Sequence, residues 1–206
     1  MNPFSNPQVT RRFITLMAAA TFIMFSVWAV MKAYTQTPEG DYEVRQGDIF
    51  LGDERYADAL ERFEAALDVS PDHRGALMGR ALAFMMDDKP DQAEQAFNYM
   101  INYLSKNLET DDSTGIGTLA AAYNNRAILR DRQCRHKEAL ADYIAALKTD
   151  EGAVEGPGIV NRILHRPDPS TARKRADFLY TRIDKLKEGE CLLKPEKDNE
   201  ERVYKP

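Results

Sequence analysis

Between residues 40 and 107 the chain repeats itself at an interval of 34, and no other feature restricts its fold as strongly. The stretch 40–73 carries Gly47, Phe50, Ala59, Phe63 and Ala66 and ends close to Pro71. Moving each of the first five by 34 positions lands on Ala81, Phe84, Ala93, Phe97 and Met100 in the stretch 74–107. A third stretch, 120–153, keeps the frame with Ala127, Ala139, Tyr143 and Ala146, and sets Tyr123 where the second has Leu77. Small and aromatic residues thus stand at matching offsets in all three stretches. The small residues lie where the paired helices come closest, and Phe63, Phe97 and Tyr143 fill the space toward the next unit. Pro71 ends a helix, since proline cannot continue one from within. A single hairpin cannot bury its apolar face, whereas about three stacked ones can.

The pattern resembles the tetratricopeptide repeat, a helix–turn–helix unit with a small residue and an aromatic in each helix. YADALERFEAALDVSP and HKEALADYIAALKTD carry the resemblance most fully, as second helices. It covers residues 40–153, in three repeats at 40–73, 74–107 and 120–153. Repeat 1 departs from the family with Glu43 and Gln46 where tryptophan and leucine are preferred, as suits an exposed first unit. The third repeat begins 12 residues late. Phe97, Met100, Ile101, Leu104 and Leu108 keep helical spacing, so the second helix of repeat 2 is expected to run long, followed by a polar loop over 109–118. Asp111, Asp112 and Ser113 lack the alternating ligands of a calcium loop, and a plain loop is expected. Beyond the repeats, residues 154–187 are expected to cap the stack: a short helix over 156–165 with Pro157 in its first turn, a break at 166–170, and a helix from Thr171 to Lys187 capped by Ser170. Residues 188–206 form a charged tail. The predicted fold class is all-α: one N-terminal transmembrane helix, a three-repeat solenoid and a C-terminal capping hairpin or helix.

The transmembrane element is Phe13 to Tyr34, whose only charge is Lys32. As a helix these residues extend ~33 Å, the thickness of a bilayer hydrocarbon core. Arg11 and Arg12 precede the span and Glu39, Asp41 and Glu43 follow it. The positive-inside rule then places residues 1–12 in the cytoplasm and the repeats across the membrane, in the periplasm if the cell is bacterial. A cleaved signal peptide is the rival, with Val27-Trp28-Ala29 as its poor cleavage site. Thr15, Ala19, Phe22, Ser26, Ala29 and Ala33 fall on one stripe, nearly all small, which suits close contact with another membrane helix. Chance composition gives such a stripe too. Residues 35–40 leave only a short linker before the repeats.

Chemistry is sparse. The chain has net charge −5, against nucleic acid as a partner, and His73, His136 and His165 are scattered without a metal or haem spacing. No phosphate loop or nucleophile motif occurs, so no catalysis, cofactor, metal or small-molecule substrate is expected. Cys134 falls in the turn of repeat 3, where the family often has glycine, and Cys191 lies 57 residues on. They staple the cap to the stack if the compartment is oxidising; two separate thiols are the plainer reading. The family resemblance implies a concave groove formed by the first helix of each repeat. It would be lined by Asp41, Val44, Asp48, Leu51, Met78, Leu82, Met85, Met86, Asn124, Ile128 and Asp131. Methionine adapts to varied surfaces, although Met85 and Met86 serve equally as filler under the cap. Residues 40–72 carry −7 and residues 171–187 carry +4, a polarity that could orient a partner or simply be solvated. The function expected is a non-catalytic protein-interaction scaffold, an accessory or structural subunit of an inner-membrane complex. The alternatives are a periplasmic assembly factor or chaperone that holds clients in the groove, and a thiol-dependent regulator using Cys134 and Cys191.

Overall fold

The computed structural model describes residues 7–34, 38–155, 171–186 and 190–192. The chain divides after Pro38 into two compact units. The first contains α1 (Pro7–Tyr34), of which Pro7–Lys32 is long and apolar enough to cross a membrane and has no buried residue. Thr15 and Thr21 donate their hydroxyls to the carbonyls of Arg11 and Met17, at 2.9 and 2.8 Å. Both polar groups are thereby satisfied within the helix, as a lipid environment requires.

The second unit is a stack of helical hairpins. Its helices are α2 (Asp41–Gly52), α3 (Tyr56–Val69), α4 (Arg74–Met86), α5 (Pro90–Asn107), α6 (Ser113–Arg132), α7 (His136–Val154) and α8 (Ala172–Arg182). α2 pairs with α3, α4 with α5 and α6 with α7; α3 then packs on α4, α5 on α6, and α8 on α7. The conserved spacing has a visible cause at Phe63. A Cβ built on Gly47 would lie 2.6 Å from its ring, and one on Gly79 would lie 2.3 Å from it. The ring is held between α2 and α4 with no exposure, and Ala59, Ala81, Ala93, Ala127 and Ala139 are equally buried. Phe97 and Tyr143 occupy the matching places in the next two hairpins, fully buried.

The three hairpin turns are the same turn. Glu54, Asp88 and Cys134 each adopt a positive φ, of 60°, 53° and 61°. The next N–H reaches back five residues in each case: Arg55 to Phe50, Lys89 to Phe84 and Arg135 to Arg130, at 2.8–2.9 Å. This is the left-handed helix stop that glycine occupies most easily, filled here by other residues.

Two boundaries differ from expectation. The expected loop over 109–118 is mostly helix, because Asp112 caps α6 by accepting from the Gly115 N–H at 2.8 Å. A Cβ on Gly115 would lie 2.2 Å from Leu108 Cδ2 and 2.6 Å from Asp112 Oδ2, so any side chain there displaces both. The last helix is capped by Thr171, which accepts from the Lys174 N–H, and it stops at Arg182 before a short 3-10 turn over Ile183–Lys185. The expected cap Ser170, the short helix over 156–165, the break at 166–170 and the tail from 193 lie outside the described residues.

Candidate interaction surface

The groove expected from the first helices is largely interior. Val44, Leu51, Met78, Leu82, Met85, Asn124, Ile128 and Asp131 are all buried; Asp48 is half-buried, Asp41 is half-buried and Met86 is exposed. The cause is the close approach of successive first helices. Asn125 Nδ2 of α6 lies 3.6 Å from Met78 Sδ of α4, and a Cβ on Gly75 would meet Val44 Cγ1 at 3.2 Å. The eight buried residues therefore act as core rather than as an open groove, while Asp41, Asp48 and Met86 keep exposed surface. His73 Nδ1 accepts from the Ala76 N–H, so its Nε2–H donates to Asp41 Oδ1 at 2.9 Å, joining the starts of α2 and α4.

Asp131 is the clearest reassignment. It has no exposure and pairs with Arg175 of α8 through both carboxylate oxygens, while Oδ1 lies 2.7 Å from His136 Nδ1. A buried carboxylate needs such partners to remain charged. The same contact removes Arg175 from the basic surface expected over 171–187, and Arg173 likewise pairs with Glu151. A second network ties the last two hairpins. Arg126 grips Asp142 at 2.6 and 2.8 Å, and Arg130 bridges Asp142 to Glu94 at 2.9 and 2.8 Å. Arg135 adds a further contact to Glu94 at 2.5 Å. Arg135 first, then Arg130, hold the Glu94 carboxyl below its ordinary range against the opposing cost of burial. Arg74 and the Gly115 N–H do the same for Asp112.

What remains open lies on the side of the stack. A cleft of about 340 Å³ is lined by Glu64, Arg80, Phe84, Gln92, Gln95, Ala96 and Tyr99, contributed by α3, α4 and α5. Arg80 Nε is buried there without a hydrogen-bond partner among the described residues, and Tyr99 is half exposed. Neither side-chain atom of buried Asn124 has such a partner either. A cation beside aromatic and amide side chains suits an acidic or carbonyl-bearing peptide group. The sequence offered no signal for it, because the three helices contribute residues whose neighbourhood depends on stacking.

Cys134 and Cys191 are joined by a disulfide, with Cα atoms 5.1 Å apart, so the reading as two separate thiols is replaced. The bond ties the turn between α6 and α7 to the segment after α8. His136 belongs to this cluster, and the ligand atoms of Cys134, His136 and Cys191 all lie within 4.8 Å of one another.

In α1, Thr15, Ala19, Phe22, Ser26 and Ala29 are all exposed, together with the large apolar side chains around them. Lys32 Nζ lies 5.2 Å from the centre of the Trp28 ring.

Comparison with known proteins agrees with this architecture. The family model described as tetratricopeptide repeat matches residues 44–103. No curated protein matches the chain. Among solved structures, the first TPR of Spaghetti (RPAP3) bound to HSP90 peptide SRMEEVD is similar with a TM-score of 0.50 at 16% identity, over 71% of this chain and 94% of that one. The Arabidopsis OM64 TPR domain is similar with a TM-score of 0.46 at 19% identity, over 71% of this chain and 95% of that one.

Proposed function

We propose, from the premise that residues 44–103 are tetratricopeptide repeats, that this chain is a non-catalytic scaffold and an accessory subunit of a membrane protein complex. One observation carries the reading: a 26-residue apolar helix with no buried residue precedes a well-packed repeat stack. A helix so apolar is costly to leave in water, and burial in a bilayer or against a neighbouring membrane helix removes that cost. The small side chains of Ala19, Ser26 and Ala29 on one stripe let a partner helix approach closely. In a bacterial cell, the basic residues Arg11 and Arg12 favour a cytoplasmic N-terminus and a periplasmic stack on the inner membrane.

The test is to replace Ala29 and Ala33 by leucine in the full-length protein and purify it in mild detergent. A subunit held through this face loses its stoichiometric partners while the repeat stack keeps its melting temperature. Unchanged partners would refute the helix contact. N-terminal sequencing of the mature protein distinguishes an anchor, which retains Phe13 to Tyr34, from a cleaved signal.

A second reading, an assembly factor that holds client segments, is favoured by the side cleft, where Arg80 Nε has no partner among the described residues. In that case Arg80→Ala abolishes client capture, and Ala29→Leu has no effect.

A further inference from the structure

We propose that the cluster at the base of α7 is a redox-gated metal site: on reduction of the disulfide, Cys134, Cys191 and His136 bind a thiophilic d10 cation such as Zn2+. The argument begins with the tautomer of His136. Leu192 N donates to His136 Nε2 at 3.0 Å, so Nε2 carries a lone pair and the proton sits on Nδ1. That Nδ1–H is donated to Asp131 Oδ1 at 2.7 Å, and Asp131 is itself held by Arg175. A histidine whose distal N–H is held by a carboxylate presents Nε2 as its coordinating atom, the arrangement that orients metal-bound imidazoles; in the oxidised protein the Leu192 N–H occupies that lone pair. The ring and Asp131 are buried, so the orientation is rigid.

The two sulfurs complete the set. They lie with one ring nitrogen of His136 in a group spanning no more than 4.8 Å, and both cysteines are exposed while His136 is buried. Exposure gives a reductant access to the disulfide and leaves a fourth coordination position open to water. Two thiolates and one imidazole suit zinc or copper(I) and are a poor set for calcium or magnesium, which take oxygen ligands. A tetrahedral ion with sulfur bonds near 2.3 Å needs the sulfurs roughly 3.8 Å apart, so the disulfide and the metal exclude each other. Parting the sulfurs moves Cys191, and with it the neighbouring Leu192 N–H, which releases the Nε2 lone pair to the ion.

The chemistry balances with a dithiol as reductant. The dithiol transfers two electrons and two protons to the Cys134–Cys191 bond, which opens to two thiols, and the dithiol closes to its own disulfide. The ion then displaces one proton from each thiol and binds two thiolates. No local spacing brings the three together: Cys134 and His136 are two residues apart while Cys191 follows 55 residues after His136.

The test uses the full-length protein in detergent, oxidised or reduced anaerobically with a dithiol and then freed of it. Zn2+ is titrated against a chromophoric chelator, and Co2+ is used as a spectroscopic probe. The reduced protein is expected to take up one Zn2+ per chain and to show thiolate-to-cobalt charge transfer, and the oxidised protein neither. Cys191→Ser and His136→Gln should each weaken Zn2+ binding on the order of 100-fold or more. Cys191→Ser alters an exposed atom, so it keeps the proposal testable if His136→Gln fails to fold. Reduced wild type binding no tighter than Cys191→Ser overturns the proposal. A folded His136→Gln protein that binds as tightly as wild type overturns it as well.

Discussion

Gly79→Ala is the substitution whose outcome the packing decides most sharply. Alanine is the better helix former by about 1 kcal/mol, so helix propensity alone predicts stabilisation. Packing predicts the reverse. The new Cβ would lie 2.3 Å from Phe63 Cε1 and 2.4 Å from Cζ, more than 1 Å inside ordinary contact. The ring has little room to retreat, because it also packs so tightly on Gly47 that a Cβ there would lie 2.6 Å from Cε1. Overpacking of this kind costs about 3 kcal/mol, the upper end of the usual range. The net loss is then ~2 kcal/mol. For a unit of this size that is a fall in melting temperature of roughly 4–8 °C. Gly52→Ala is the matched control, since nothing lies within 4 Å of its Cβ and its helix gains the propensity alone. Its melting temperature should rise by a few degrees, on the order of 0.5–1 kcal/mol. Adding Phe63→Leu to Gly79→Ala should cost less than the sum of the two single changes, because the clash is removed. Thermal unfolding followed by circular dichroism on the four variants reads all of this. A stabilised Gly79→Ala protein, or strict additivity with Phe63→Leu, would refute the account of why glycine stands there.

Other expectations follow from the same structure. Reduction of Cys134–Cys191 should lower stability by about 4 kcal/mol, from the entropy of opening a loop of this length, and Cys134→Ser should match it in thermal melts. Arg175→Ala leaves the fully buried Asp131 without its guanidinium and should cost ~3–5 kcal/mol, whereas the exposed Arg45→Ala should be nearly silent. Asp88→Gly relieves a positive φ of 53° and should stabilise the stack by about 1 kcal/mol. Glu94 has a depressed folded pKa, so its contribution is present above the unfolded value and is lost as pH falls through the folded one. Melting temperature should therefore drop as pH is lowered from about 5 toward 3, and less steeply in Glu94→Gln.

The repeat frame was legible because its causes are local: small residues at contacts such as Gly47 and Ala81, and aromatics such as Phe63 and Phe97 at fixed offsets. The long α5 was equally visible in the spacing of Phe97, Met100, Ile101 and Leu104. Reading stopped where composition conflicted with capping. Ser113 to Gly117 has the residues of a loop, yet Asp112 caps a helix there and Gly115 leaves room for Leu108. The groove was carried over from a family pattern, and here the first helices approach so closely that Met78 and Leu82 are core. Asp131 looked like a surface acid because its partner Arg175 lies 44 positions away. The contacts of Cys191 with Cys134 and of Leu192 with His136 are equally long in range, and no local period records them.

The claim at the centre of this account is that the apolar N-terminal helix joins the repeat stack to a resident membrane complex. The most direct measurement is to tag the full-length protein, extract it in mild detergent, and determine the identity and stoichiometry of what co-purifies, beside the chain from residue 36 onward. Fixed stoichiometric partners that disappear when residues 1–35 are removed are the predicted result. Varied, substoichiometric partners retained equally by both would contradict it and leave a client-binding factor in its place.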